Sequence, residues 1–171
     1  FGPWHGVDTL LEAFEQFTFR NKNVKLVMAG SGPLFEYALD FVAKANLTER
    51  VIFTGQVSHK DSIGLMSKSL ACLNTPVDNA DGTPFFGSPT KLFEYFLSSR
   101  PVFSSDVVSL SEFAEFSVCF SQGNSYELAD LMFKVAQDSD VFDDLALKAR
   151  DLVMNKYSWD HHIEYVLHGL I

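Results

Sequence analysis

The stretch Val24-Lys25-Leu26-Val27-Met28-Ala29-Gly30-Ser31-Gly32-Pro33 decides how the chain is read. Residues 24–29 are short, apolar and rich in strand formers, which predicts a buried β-strand. Gly30 to Gly32 are turn material, and Pro33 suits the first position of a helix, where its missing N–H is no loss. Leu34, Tyr37, Ala38, Phe41 and Val42 then recur at helical spacing, predicting a helix over 34–45. Strand, tight turn and helix in succession form one βα step.

The same step repeats outward in both directions. Short, nearly continuous apolar runs at 51–54, 71–74, 102–104 and 118–120 predict further strands, apolar enough to be parallel and covered on both faces. Helical spacing marks 7–19, 60–69, 90–99, 125–136 and 141–155, with one more helix after Ser158; Ser58-x-x-Asp61 supplies a capping box for the second of these. Alternation at this spacing predicts a Rossmann-like, doubly wound parallel α/β sheet.

Composition agrees and excludes other classes. The 171 residues are 47% hydrophobic and 20% charged, a globular balance long enough for one cored domain. Seventeen Phe residues speak for a thick packed interior. A net charge of −9 argues against a nucleic-acid partner, which needs Lys and Arg to displace counterions. Cys72 and Cys119 each sit in an apolar triplet as small hydrophobes, pointing to a reducing, cytoplasmic setting. No apolar run reaches the ~18–20 residues of a membrane span.

In an open α/β sheet, ligands sit at the carboxyl ends of strands, beside helix N-termini. Two segments qualify. Gly30-Ser31-Gly32 resembles the start of a dinucleotide turn, but Phe35 stands where the third glycine belongs, so an oxidoreductase is the weaker alternative. The second is Phe86-Gly87-Ser88-Pro89-Thr90-Lys91-Leu92-Phe93-Glu94-Tyr95, at the end of the long irregular stretch 75–89. Ser88 is a suitable N-cap and Pro89 a suitable first helical residue. Leu92, Phe93, Phe96 and Leu97 form the apolar stripe, with Thr90, Lys91, Glu94, Tyr95 and Ser98 opposite. Lys91 then lies where the helix dipole disfavours a cation by about 0.3–1 kcal/mol, which hints at an anion. The competing explanation is that Lys91 and Glu94 form an ordinary i,i+3 pair on a solvated face.

The segment GSPTKLFEYFLSSRPVFSSD, residues 87–106, resembles the signature of glycosyltransferase group 1, family 4 of the retaining GT-B enzymes, in its "PTKLFEY" form. Trp4-His5-Gly6-Val7-Asp8, with Leu10, Leu11, Ala13 and Phe14, is similar to the family's opening motif. Residues 26–33, 51–57 and Tyr157-Ser158-Trp159-Asp160 resemble three others in order, so the likeness spans the chain. It implies the C-terminal, donor-binding lobe of a GT-B fold, the partner of an acceptor-binding N-terminal lobe. Residue 1 would then fall at the end of the lobe's central first strand, making 1–171 a fragment.

Residue by residue, the resemblance implies that Glu94 takes the ribose hydroxyls, as a carboxylate can accept from both members of a cis-diol. Ser88, Pro89, Thr90 and Lys91 match the helix start that meets the diphosphate. Gly32 matches the turn where backbone approaches the donor, and Val57 the residue whose main chain meets the base. Three positions depart from the pattern. The family's first motif glutamate is Phe86 here, leaving Phe86, Gly87 and Asp81 as the residues nearest the donor sugar. The family's lysine before the first glycine is His5, so cationic support falls to His5, Lys91 and Lys60. The Gly that usually follows the motif helix is Ser99.

The implied reaction moves a sugar from a nucleoside diphosphate sugar to an acceptor hydroxyl, with no metal or other cofactor and no catalytic residue named in this lobe. A lobe that binds nucleotide without transferring anything is the alternative that Phe86 favours. Expected partners are the nucleotide-sugar donor, the N-terminal lobe and, through the full-length protein, a membrane periphery. Asp78-x-x-Asp81 reads as a solvated turn, and the adjacent His161 and His162 lack the spacing of a zinc pair.

Overall fold

The computed structural model describes residues 1–87, 89–158 and 163. In chain order it contains α1 (Val7–Arg20), β1 (Leu26–Ala29), α2 (Phe35–Lys44), β2 (Val51–Gly55), α3 (His59–Ser67) and β3 (Cys72–Asn74). There follow α4 (Thr90–Leu97), β4 (Val102–Ser105), β5 (Val118–Phe120), α5 (Ser125–Gln137) and α6 (Asp143–Lys156). Each lies within two residues of the bounds its periodicity predicts. Two 3-10 segments, Pro3–His5 and Val108–Phe116, carry no periodicity of their own and escape the sequence reading. The helix expected after Ser158, with Trp159, Asp160, His161 and His162, lies outside the described residues.

Among the described residues all strand pairs are parallel. Leu26 lies opposite Val51, Cys72 opposite Val102, and Phe103 opposite Val118. Instead of one continuous sheet, the described residues form two, β1–β2 and β3–β4–β5; β1 pairs only with β2, and β3 only with β4. The first six residues bridge the carboxyl ends of the two sheets. Phe1 donates its amino group to the Ser31 carbonyl at 2.9 Å and accepts the Leu34 N–H at 3.0 Å. Trp4 accepts the Val77 N–H at 3.0 Å, and the His5 carbonyl accepts the Thr75 hydroxyl at 2.7 Å. Gly6 turns at φ +54°, and a Cβ there would overlap the Thr75 carbonyl oxygen. Only glycine allows α1 to start so close to the end of β3.

Two apolar clusters fill the interior. The first joins Leu11, Phe14 and Phe17 of α1 to Leu26, Met28, Leu128 and Met132, and includes Phe103 and Phe120 from the other sheet. The second packs Cys72, Leu92, Phe96, Val102, Phe113 and Val153. Each large side chain buried in this way contributes about 1.5–3 kcal/mol. At its rim, Tyr157 lies 4.8 Å from the Phe93 ring and donates its hydroxyl to Glu112 at 2.6 Å, tying the chain after α6 to α4.

Three expectations are corrected here. Only β4 is buried at every residue; β1 alternates, and Val27 and Ile52 are both 42% exposed. The reason is α3, none of whose residues is buried, so it covers little of the β1–β2 sheet. On α4 the buried stripe narrows to Leu92 and Phe96; Leu97 is exposed, whereas Tyr95 packs against the second cluster. Cys119 is exposed, because β5 is an edge strand.

Two substitutions check this account. Gly6→Ala should destabilise by more than about 2 kcal/mol, lowering Tm by about 4–8 °C. Ser99 sits at φ +56° just past α4, a left-handed turn that penalises any Cβ. Ser99→Gly should therefore stabilise by about 0.5–1 kcal/mol in urea unfolding.

Candidate functional site

The turns after β1, β2 and β3 emerge along one edge, together with the N-terminal bridge. Gly32 takes φ +151°, and a Cβ there would stand 2.9 Å from the Phe1 backbone, so its lack of a side chain lets that bridge dock. Gln56 donates to the Ser31 hydroxyl at 3.4 Å, bringing the β2–α3 turn, with half-buried Val57, to the same place.

His5 is oriented by its own turn. The Gly2 N–H donates to His5 Nδ1 at 2.9 Å, so the neutral ring carries its proton on Nε2 as a donor. Desolvation, with further repulsion from Lys91 and the N-terminus, pushes the His5 pKa down to about 4. Lys91 is exposed as a residue, yet crowding around its ammonium lowers its pKa against the raising pull of Glu94. The nearby Lys91 ammonium thus gives this edge a positive field, which disfavours a protonated His5 and favours an anion.

Helix α4 starts one residue later than its sequence suggests. Pro89, at φ −71° and ψ 11°, occupies the capping position, and its carbonyl accepts the Phe93 N–H at 2.9 Å. The amides of Lys91 and Leu92 precede that first intrahelical bond and point out of the helix start. Ser88, the expected cap, lies outside the described residues, and Thr90 is exposed at the first helical position. Pro33 likewise sits in the turn ahead of α2 and not within it.

Glu94 is half-buried, and no ion pair joins it to Lys91 among the described residues. Its partner is His59, whose Nδ1 lies 3.8 Å from Glu94 Oε1. The sequence reading missed His59. The signal was available: Ser58 caps α3 by accepting the Asp61 N–H at 3.2 Å, which places His59 first on a helix rising from the same edge. Asp61 does not complete the expected box; its carboxylate instead accepts the Ser58 hydroxyl at 2.7 Å.

Gly32, Val57, His5, Lys91 and Glu94 therefore share one edge. Lys60 is exposed on α3 beside it. Phe86 and Asp81 project from the loop between β3 and α4, Phe86 99% exposed and Gly87 half-buried. Asp81 Oδ1 accepts from the Thr83 amide at 3.0 Å and from its hydroxyl at 2.6 Å, so part of its capacity closes the loop tip. Among the described residues, no three His, Cys, Asp or Glu side chains are grouped to hold a metal ion. Two clefts lie away from this edge, about 170 Å³ between α1 and α5 and about 100 Å³ behind β4 and β5.

The depressed His5 pKa has a stability consequence of definite sign. Its pKa in the folded state lies below the unfolded value of 6.5, so the contribution is intact above pH 6.5 and is lost as pH falls through about 4. His5→Gln should therefore lose about 1–2 kcal/mol less than wild type between pH 7.5 and 4, after discounting for solvent screening. Urea midpoints at the two pH values check this.

Solved structures place the fold. HepE of Anabaena, in a complex with UDP, superposes with a TM-score of 0.83 at 19% identity, covering 99% of this chain and 46% of that one. A point mutant of TarM of S. aureus, in complex with Fondaparinux, alpha-GlcNAc-glycerol and UDP, gives 0.83 at 20% identity over 98% of this chain and 33% of that one. The C-terminal domain of a glycosyl transferase group 1 family protein (LpcC) from Francisella tularensis gives 0.76 at 17%, covering 93% of this chain and 83% of that domain. The chain thus spans less than half the length of HepE and of TarM. Comparison with curated protein sequences finds no match. The family model described as Glycosyl transferases group 1 matches residues 1–138, and the chain belongs to that family.

Proposed function

We propose that this chain is the donor-binding lobe of a retaining GT-B glycosyltransferase of the family 4, "PTKLFEY" type. It holds a nucleoside diphosphate sugar while a second lobe presents an acceptor hydroxyl. The observation that carries this reading is the shared edge of Glu94, Lys91 and His5. A half-buried carboxylate stands one helical turn from a desolvated cation, at a helix start that faces a second hydrogen-bond donor.

Each group has a defined task. Glu94 accepts both ribose hydroxyls, displacing its exposed contact with His59. The base lies against the main chain at Val57, and the Gly32 turn, whose missing side chain admits the Phe1 backbone, brings its own main chain to the donor. The diphosphate meets the helix start at Ser88, Pro89, Thr90 and Lys91. Pro89 has no N–H to give, so the amides that follow it supply the donors. Breaking the sugar–phosphate bond builds negative charge on the departing diphosphate. Lys91, the Nε2–H of His5 and the α4 dipole stabilise that charge without metal. The sugar faces Phe86, Gly87 and Asp81.

The unpaired inner edges of β1 and β3 support a further part of this reading: a strand preceding Phe1 lies between them, and the acceptor lobe precedes that strand. One observation favours a second reading, a lobe that keeps nucleotide but transfers nothing. Phe86, where the family resemblance calls for a carboxylate, is almost wholly exposed. Release of free sugar from the donor by the full-length protein decides between the two.

Titration of the protein with UDP, GDP and ADP tests the site. One of the three should bind, and Glu94→Ala should weaken it by about ten- to a hundredfold, the loss of two charge-assisted hydrogen bonds. Equal binding of every nucleotide by wild type and variant removes Glu94 from the site.

A further inference from the structure

We infer that Gln122, on the turn after β5, is a positioning residue for the donor: it latches the loop that carries Gly87 and Pro89 to the ends of β4 and β5. The inference rests on the reading of the α4 start as the diphosphate site.

The latch is a chain of contacts. Gln122 and Asp78 bond reciprocally: the Asp78 N–H donates to Gln122 Oε1 at 2.9 Å, and Gln122 Nε2 donates to Asp78 Oδ2 at 2.9 Å. The other carboxylate oxygen of Asp78 reaches across its own loop to accept the Phe85 N–H at 2.8 Å. Asp78 is therefore the joint where loop closure and loop anchoring meet. The Phe85 ring packs against the second apolar cluster and lies over Gly87, so closely that a Cβ on Gly87 would overlap it. Fixing Phe85 thus fixes the chain entering α4.

The anchor end is rigid. The Gln122 N–H donates to Asp106 Oδ1 at 2.8 Å, and the Asp106 N–H donates to the Phe120 carbonyl at 3.0 Å, both at the carboxyl ends of the sheet. The neighbouring Ser121 N–H donates to Glu127 of α5 at 2.7 Å, and Gly123 turns at φ +75°. Within the loop, Asn79 and Thr83 close a separate tip, so the segment between Asp78 and Phe85 behaves as one closed unit, seated by the Phe85 ring and, among the described residues, hydrogen-bonded outward through Gln122. These bonds are exposed, so each adds little to global stability. Their effect is on place. A helix start and its amides must meet a diphosphate within a fraction of an ångström, and an unlatched loop must be reordered before it can.

The test exchanges donor and acceptor. Gln122→Glu sets a carboxylate against Asp78 and removes the amide donor; adding Asp78→Asn restores a donor facing the introduced carboxylate and keeps an acceptor for the Phe85 N–H. The probes are UDP-glucose, or a GDP or ADP sugar if wild type prefers that base, and the matching free nucleoside, which reaches Glu94 and not the loop. For Gln122→Glu, affinity for the sugar nucleotide should fall about five- to twentyfold, while affinity for the nucleoside changes less than twofold. Hydrogen exchange at the Phe85 amide should rise, and the double variant should recover both. Unchanged affinity in Gln122→Glu overturns the inference even if Phe85 exchanges faster. Equal losses for sugar nucleotide and nucleoside, or no recovery in the double variant, overturn it too. A wild-type protein that binds none of the nucleotides overturns the donor-site reading, and the inference with it.

Discussion

The approach of Gly6 to the Thr75 carbonyl is the constraint on which the rest of the molecule depends. The two parallel sheets share no ladder between β1 and β3, so their carboxyl ends are held in register by side-chain packing and by residues 1–6. That bridge docks on one side against Gly32 and on the other against Thr75 and Val77. Both dockings need a residue without a side chain, and both lie on the edge where His5, Lys91 and Glu94 gather. The same backbone approach that closes the fold therefore shapes the candidate site.

Much of this was legible in the sequence, because the signals are local and periodic. The βα steps follow from apolar spacing, turn residues and caps, and each element falls close to its expected place. The turn at Gly30–Gly32 and the placing of Lys91 stand out for reasons of chemistry, whereas the role of Glu94 comes from the resemblance. What was not legible depends on contacts between distant segments. His59 reaches Glu94 only because the starts of α3 and α4, which follow strands of different sheets, meet at the same edge. Asp78 reads as a solvated turn until Gln122, 44 residues away, is folded against it. Exposure of Val27 and Ile52 is equally non-local: their apolar character predicts cover that α3 does not provide.

The electrostatics have a consistent direction. Despite a net charge of −9, the candidate edge sets the desolvated Lys91 ammonium close to a neutral histidine donor. Such an arrangement is costly in the empty protein and is relieved by an anion. A few placed groups can hold a diphosphate on an acidic surface, because their field acts at short range while the distant surface is screened.

The most direct measurement of the central claim is a crystal structure of the protein with the nucleoside diphosphate that it binds. The account predicts the ribose hydroxyls on the Glu94 carboxylate, with His59 displaced from it, and the phosphates at the α4 start within reach of Lys91 and His5. A nucleotide seated elsewhere, such as in the cleft between α1 and α5, or one bound at this edge with its ribose away from Glu94, would contradict it.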